Sequence, residues 1–274
     1  MNNENAKNIL KKLLEKPLIK QRTPEWFKLR ENRLTASDLY DAVNNPKSLA
    51  KKKIKNVSFN SGAIPALKWG TMFEDMASRI YANINNVKIH EFGLIINDNI
   101  PNFGASPDGI TENGVMIEIK CPYSRKIEIN KIPEKYQYQI QGQLAVCELN
   151  ICDYIECEFV CYATEEEYLT NVQNITENYK HGIIAEKKEN SNFIYKYSTD
   201  NQISSENIKE MNEYKLNGWK LNYWKLKLIN IQQVNFNKDK WDNEIIKKID
   251  IFTNIYNDEK KKYNPADIFI AEDD

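Results

Sequence analysis

The stretch "GASPDGITENGVMIEIKCP", residues 104–122, decides the fold that the sequence predicts. It holds two short β-like runs, and the Asn113-Gly114 dipeptide between them is typical of a hairpin turn. Period-two alternation in the second run places Glu118 and Lys120 side by side on one face of the strand. Asp108 lies across the hairpin, where a twisted strand pair can bring its carboxylate close to Glu118.

This pattern supports two interpretations. The simpler one is a salt-bridged surface hairpin with a Glu/Lys pair. The other is a metal-dependent nuclease centre, because two neighbouring carboxylates repel unless a cation neutralises them. Mg²⁺ suits such a site, since it takes oxygen ligands and uses one or two carboxylates plus water and phosphate. The carbonyl of Ile119 can add an oxygen, and Lys120 can orient or deprotonate the attacking water.

Outward from the hairpin, apolar periodicity predicts alternating helices and strands, and hence an α/β (α+β) fold around a central sheet. Residues 186–210 are polar and predict an insertion or mobile connection, and 47–65 is interpreted as a loop. We predict a core over residues 1–180 and a C-terminal extension, strand plus amphipathic helix, over 181–274. Helices are predicted near 1–16, 23–33, 35–43, 66–84, 133–149, 164–183 and 241–256, and strands near 87–96, 103–109, 115–121, 153–163 and 223–234.

The charge balance offers no global attraction to nucleic acid, because the net charge is −1 and the pI about 6.3. DNA binding would therefore depend on local basic clusters. The run Lys51, Lys52, Lys53 and Lys55 is one such cluster, and it suits a solvated loop and a phosphate-tracking loop equally well.

Other site chemistries are disfavoured. The five cysteines contain no CxxC pair, and a strand through Cys152 and Cys157 would point them to opposite faces, so buried free thiols in a reducing interior are expected. With two histidines in the chain, a histidine-based zinc or catalytic site is not expected. The sequence predicts neither a secretory signal at its start nor a membrane-spanning run.

The hairpin stretch is one of four motifs that follow one another along the chain and together resemble a known family. Together, "TPEWFKLRENRLTAS", "WGTMFED", "GASPDG…MIEIKCP" and "YQYQIQGQLAV" resemble the λ-exonuclease-like, YqaJ-type viral recombinase family of PD-(D/E)XK nucleases. The resemblance covers roughly residues 21–160. It implies a restriction-endonuclease-like core, with a mixed central β-sheet flanked by helices.

By position, the resemblance implies a role for each of nine residues. It implies metal ligands, catalytic groups and a pocket for the terminal 5′-phosphate. Each position also has a simpler structural explanation, such as a surface ion pair for Glu74 or Arg30, a solvated helix position for Gln141, a helix cap for Ser37 or a turn for Ser106. The implied metal ligands are Asp108, Glu118, Glu74 and the Ile119 carbonyl, the catalytic groups are Lys120, Glu118, Asp108 and Gln141, and the phosphate pocket is Arg30, Ser37 and Ser106.

The function implied is a Mg²⁺-dependent exonuclease, with Mn²⁺ as a substitute, that digests linear double-stranded DNA 5′→3′ in viral or phage recombination. A single-strand annealing protein is the implied partner, and the cytoplasm of the host cell the implied location. Two alternatives stay open: a structure-specific or restriction-like endonuclease on the same core, and a non-catalytic DNA-binding module. The oligomeric state is open too, because some members of the family close into rings and others act alone.

Overall fold

The computed structural model describes residues 3–55, 64–177, 179–190, 192–198 and 205–263. Its N-terminal part is helical, and two of its helix starts were predicted from the sequence. Thr23 caps the second helix by accepting a hydrogen bond from the backbone N–H of Trp26. Thr35, rather than Ser37, occupies the cap position before the next helical turn. The elements are α1 (Asn3–Leu14), α2 (Pro24–Arg30), β1 (Leu34–Thr35), a 3₁₀ turn (Ala36–Asp38), α3 (Leu39–Asn44), α4 (Pro46–Ile54) and α5 (Pro65–Asn85).

The remaining elements build a seven-stranded sheet and most of a three-stranded sheet. They are β2 (Ile89–His90), β3 (Ile95–Ile96), β4 (Phe103–Ala105), β5 (Gly109–Thr111), β6 (Met116–Lys120), α6 (Glu134–Cys147), β7 (Ile151–Tyr162), α7 (Glu165–Val172), β8 (His181–Glu189), β9 (Asn192–Tyr197), α8 (Ser205–Leu216), β10 (Lys220–Asn235), α9 (Lys238–Lys240), a π-helical turn (Trp241–Ile245) and α10 (Ile246–Lys262). The large sheet has the order β2-β5-β6-β7-β10-β8-β9, and the small sheet has the order β1-β4-β3. In the large sheet the β6–β7 pair is parallel and the other neighbours are antiparallel.

Hydrophobic residues pack on both faces of the sheet around β6. Met116 joins the core beneath α6 and α10, whereas Ile117 and Ile119 join the core beneath α5. Cys152 and Cys157 likewise face opposite cores, and all five cysteines are free thiols; four of them are buried as expected, whereas Cys161 is exposed. The alternation predicted from the hairpin sequence is therefore confirmed, and so is the predicted mixed central sheet flanked by helices.

Three local predictions differ from the structure. Residues Pro46–Ile54 form α4 rather than a loop, because proline starts the helix and Leu49 and Ala50 are buried. The stretch 186–210 is not an insertion where the structure describes it, since it completes β8 and supplies β9 and the start of α8. The helix predicted over 164–183 ends at Val172, and β8 begins at His181.

The C-terminal part contains more than the strand and helix predicted for it. Strand β10 lies between β7 and β8, so it extends the sheet of the core rather than packing on its outside. The boundary at 180/181 stays a prediction. Within the residues that the structure describes, no helix is long and apolar enough to cross a membrane.

Candidate active site

The centre of the candidate site is the β5–β6 hairpin. Gly109 pairs with Ile117, so Asp108 lies opposite Glu118 at the open end of the hairpin. The Asp108 Oδ2 atom accepts a hydrogen bond of 2.7 Å from the backbone N–H of Ile119. This bond fixes one carboxylate oxygen against β6, and the hairpin brings Asp108 and Glu118 together as predicted.

Glu118 is fully buried and is held by three side chains. Its Oε1 atom accepts hydrogen bonds from Lys120 Nζ and from Gln139 Nε2, the latter at 2.6 Å. Its Oε2 atom accepts a hydrogen bond of 2.7 Å from Gln143 Nε2. A buried carboxylate is tolerated when its charge is paired and both of its oxygens are hydrogen-bonded, and this network does both: Oε1 accepts two bonds and Oε2 accepts one.

The predicted position of Gln141 in the active site is wrong. Its Nε2 atom donates to the carbonyl of Asn235 at 3.0 Å, and its Oε1 atom accepts from the N–H of Asn237 at 2.7 Å. Gln139 and Gln143 face Glu118 instead, because they are four residues apart on one stripe of α6 and Gln141 is on the opposite stripe. That i, i+4 glutamine pair is the sequence signal that could have identified them.

The electrostatics of the hairpin reflect its crowded charges. Burial, together with the negative charges of Glu118 and Glu74, raises the pKa of Asp108 well above its usual value. For Lys120, burial acts to lower the pKa, but the negative charges of Glu118 and Asp108 outweigh it and raise the pKa above its usual value. Lys120 therefore carries its proton in this arrangement, while Asp108 holds a proton more readily than an ordinary carboxyl group.

Glu74, on α5, is the third acid of the site. Its Oε2 atom forms an ion pair of 2.6 Å with the guanidinium of Arg22. The charge of Glu74 contributes to the raised pKa of Asp108, so the predicted grouping of Glu74 with the hairpin acids agrees with this placement. Arg22 was not identified from the sequence, where nothing distinguishes it from other surface arginines.

The three predicted phosphate-pocket residues meet around Trp26. The guanidinium of Arg30 lies 4.3 Å from the centre of the Trp26 ring and donates to Ser37 Oγ at 3.4 Å. The indole N–H of Trp26 donates to Ser106 Oγ at 3.1 Å. Burial lowers the pKa of Arg30 despite the opposing charge of Asp38, so an added anion would be favoured beside this guanidinium.

The lysine run lies behind this phosphate pocket. Lys53 forms an ion pair of 2.8 Å with Asp38, and Lys51 Nζ lies 3.9 Å from Glu259. Lys53 therefore supports the turn that carries Ser37. Contact between the lysine run and DNA stays a prediction.

The donor set of the hairpin fits a hard divalent cation. Within the described part of the chain, no three His, Cys, Asp or Glu side chains come close enough together to hold a metal as they stand. Glu74 is engaged by Arg22, which leaves Asp108, Glu118 and the Ile119 carbonyl as donors. Two carboxylates suffice for Mg²⁺, whose other ligands are usually water and phosphate. A cation would also counter the burial and the neighbouring negative charges of Glu118 and Glu74, which together raise the pKa of Asp108.

Comparisons with known proteins show what the chain is similar to. Residues 25–150 match the YqaJ-like viral recombinase domain. An uncharacterized protein of Acanthamoeba polyphaga mimivirus is 28% identical over 185 residues, covering 59% of this chain and 33% of that protein. The chain thus spans about a third of the length of this curated relative.

Among solved structures, the alkaline exonuclease of Laribacter hongkongensis superposes with a TM-score of 0.57 at 19% identity, covering 91% of this chain and 100% of the exonuclease. The same exonuclease in complex with dAMP superposes with a TM-score of 0.56 at 19% identity, over the same shares of both chains. At this identity the likeness shows a shared fold. The stretch that matches the YqaJ-like viral recombinase domain, residues 25–150, includes all nine predicted site residues, so the chain is similar to this family where the predicted site lies.

Proposed function

We propose that the chain is a metal-dependent exonuclease that digests linear double-stranded DNA 5′→3′, using Mg²⁺ with Mn²⁺ as a substitute. The observation that carries the proposal is the convergence of Asp108, Glu118 and Lys120 at the open end of one hairpin. The relatives support it: the family is named for viral recombinases, and the solved structure of the same fold is an alkaline exonuclease.

Each residue of the hairpin has a role in phosphodiester hydrolysis. Asp108, Glu118 and the carbonyl of Ile119 would hold the metal, which supplies an activated water and charge stabilisation at the phosphate. Lys120, protonated in this arrangement, donates hydrogen bonds and positive charge beside the reacting phosphate. Gln139 and Gln143 keep the Glu118 carboxylate in one orientation.

The cavity beside Lys120 suits a DNA strand. It has a volume of about 490 Å³ and is lined by the basic side chains of Arg22, Lys120, Arg125 and Lys135, with Glu74 as its acidic residue. Local positive charge of this kind provides the phosphate attraction that the balanced overall charge of the chain lacks.

The spacing of the two clusters favours an exonuclease over an endonuclease. Ser106 belongs to the phosphate pocket and Asp108 to the metal site, and the two residues are two positions apart in the chain. An extended chain of two residues spans at most about 7 Å, which is comparable to the distance between successive phosphates of one strand. A terminal 5′-phosphate held at Arg30 and Ser37 would therefore place the next phosphodiester bond at Asp108. The related alkaline exonuclease was solved with dAMP, a mononucleotide.

The proposal extends to the setting of the reaction. Digestion from 5′ ends leaves a 3′ single strand, which a single-strand annealing protein would bind as the partner in recombination. The reaction would take place in the cytoplasm of the host cell, and the mimiviral relative supports a viral setting for it.

The test is a time course of hydrolysis on end-labelled, 5′-phosphorylated duplex DNA with Mg²⁺. The wild type should release nucleotides from the 5′ end, Lys120→Ala should release none, and Arg30→Ala should chiefly lose its preference for phosphorylated over unphosphorylated ends. A closed circular duplex serves as the control substrate. Cleavage of the circle at a comparable rate would favour an endonuclease, and DNA binding without any hydrolysis would favour a non-catalytic module.

A further inference from the structure

Arg22 has an unusual backbone. Its φ is +66°, in the left-handed region that side chains other than Asn and Gly seldom adopt. Four of the seven such residues in the described part of the chain are asparagines, and Glu148 caps the end of α6. Arg22, like Tyr179, is neither an asparagine nor a helix cap, and backbone strain of this kind tends to occur at functional positions.

The preceding residue fixes this conformation over the candidate active site. The side-chain amide of Gln21 donates to the carbonyl of Pro107 at 3.0 Å and to that of Phe92 at 2.8 Å. Pro107 directly precedes Asp108, so the segment that carries Arg22 is tied to the segment that carries a candidate metal ligand. The guanidinium of Arg22 forms its ion pair with Glu74 from this segment.

The Arg22–Glu74 ion pair lies between two cavities of about 490 Å³ each, because both residues line both cavities. On one side, the lining includes Asp108 and the acids Asp75 and Glu91. On the other side, the lining is the basic set around Lys120 described above. Arg22 is thus positioned at the boundary between the acidic and the basic half of the site.

We propose that Arg22 is a DNA-binding residue held in reserve by Glu74. Before a cation binds, the carboxylate of Glu74 holds the guanidinium of Arg22 in an ion pair. When Glu74 turns toward the cation held by Asp108 and Glu118, the guanidinium is released and binds a phosphate of the DNA strand in the basic cavity. The inference rests on the proposed nuclease function, and it adds a residue that couples metal loading to DNA affinity.

Two features make this exchange favourable. The side chains of Arg22 and Glu74 are 47% and 31% exposed, so their ion pair is screened by solvent and easily broken. A guanidinium offers a planar fork of donors that matches phosphate oxygens, so a phosphate replaces the carboxylate without loss of hydrogen bonds.

The experiment measures equilibrium binding of a labelled 5′-phosphorylated duplex to the full chain, by fluorescence anisotropy, in EDTA and in Ca²⁺. Arg22→Gly is the main variant, since glycine adopts a φ of +66° without strain and the fold should be retained. Arg22→Lys keeps the charge and loses the fork. Arg79→Ala is the matched control, because Arg79 is 43% exposed and pairs with Asp75 at 2.8 Å on the same helix as Glu74.

We expect Arg22→Gly to weaken binding about tenfold in Ca²⁺, the loss of one charge-assisted phosphate contact, and to leave binding in EDTA nearly unchanged. The slope of log affinity against log salt in Ca²⁺ should fall by roughly 0.7 to 0.9, and Arg79→Ala should change neither quantity. Arg22→Lys should retain the slope of the wild type and bind with intermediate affinity.

Glu74→Gln provides a second test, which needs no metal. It should tighten DNA binding in EDTA, and the gain should vanish when Arg22→Gly is added. A gain that survives in the double variant, or an equal loss from Arg22→Gly in EDTA and in Ca²⁺, would overturn the exchange. Hydrolysis by the wild type distinguishes a failure of the proposed function from a failure of this inference. A wild type without nuclease activity refutes the proposed function. An active wild type, together with DNA binding that Arg22→Gly leaves unaltered, refutes this inference alone.

Discussion

Three of the four glutamines of α6, Gln139, Gln141 and Gln143, allow a sharp test of which face of this helix serves the site. Gln141 is 7% exposed and makes two hydrogen bonds to the backbone around the end of β10, of 3.0 Å and 2.7 Å. Replacing it with alanine leaves the Asn235 carbonyl and the Asn237 N–H without their partner. At about 1 kcal/mol for each lost bond, Gln141→Ala should lower the free energy of unfolding by about 2 kcal/mol. For a chain of this size, that is a fall of roughly 5 °C in Tm.

Gln139→Ala and Gln143→Ala, in contrast, should chiefly lower the rate of hydrolysis. Their amides hold the two oxygens of Glu118, so their loss allows this carboxylate to turn away from the position that serves the metal. Residues that orient a metal ligand are worth about 10- to 100-fold in metal affinity or activity, and a comparable loss of hydrolysis is expected here. Because neither residue is placed against the substrate, the Mg²⁺ concentration that gives half-maximal rate should rise in both variants.

The assay pairs a Mg²⁺ titration of duplex hydrolysis with thermal unfolding of the same preparations. Gln141→Ala, assayed at a temperature where it is folded, should hydrolyse DNA at close to the wild-type rate. Abolished hydrolysis in Gln141→Ala with an unchanged Tm, together with full activity in Gln139→Ala and Gln143→Ala, would refute the assignment of the glutamines to their faces.

Further predictions concern stability. Lys53→Ala breaks the ion pair with Asp38 and should cost about 2 kcal/mol at neutral pH, measured by urea unfolding. Burial would raise the pKa of Asp38, but Lys53 lowers it below its usual value. The stabilisation by the carboxylate is therefore complete above the unfolded-state pKa of about 3.9 and is lost as pH falls through the lowered pKa. The difference in the free energy of unfolding between wild type and Lys53→Ala should accordingly shrink below about pH 4. The part that remains is due to the hydrogen bond that Lys53 donates to the Arg33 carbonyl. A difference independent of pH would show that Asp38 is not its source. Gly142→Ala would place a Cβ atom 2.5 Å from Leu39 Cδ1, and overpacking should cost about 2 kcal/mol, offset by about 1 kcal/mol of helix propensity; unaltered stability in urea would mean that α6 and α3 can separate freely.

The hairpin at the centre of the site could be predicted from sequence because its information is local. Alternation fixes which residues of β6 share a face, and an Asn-Gly turn fixes where the chain returns. Asp108, Glu118 and Lys120 therefore meet as expected. The phosphate pocket is different, since Arg30 and Ser106 lie far apart in the chain, and the resemblance to a family supplied their grouping.

The orientation of α6 could not be predicted, because both of its sides are buried. Its apolar residues Ile140 and Leu144 pack into the core, while Gln141 and Gln143 are also nearly inaccessible on other faces. Amphipathic periodicity distinguishes a buried stripe from a solvated one, but it cannot rank two polar stripes that are both covered. Only the tertiary partners, Glu118 on one side and the end of β10 on the other, separate the two glutamine faces.

The position of the C-terminal part likewise depends on tertiary partners that the local sequence pattern does not identify. Sequence indicates that β10 is a strand, but its place between β7 and β8 depends on pairing across long stretches of chain, which local patterns do not encode. Its consequence for the site is indirect. The end of β10 holds α6 through Gln141, and Tyr256 of α10 donates to Asn32 Oδ1 at 2.7 Å, two residues beyond Arg30. The C-terminal part, predicted from sequence as an extension, therefore supports both the helix that orients Glu118 and the segment that carries Arg30.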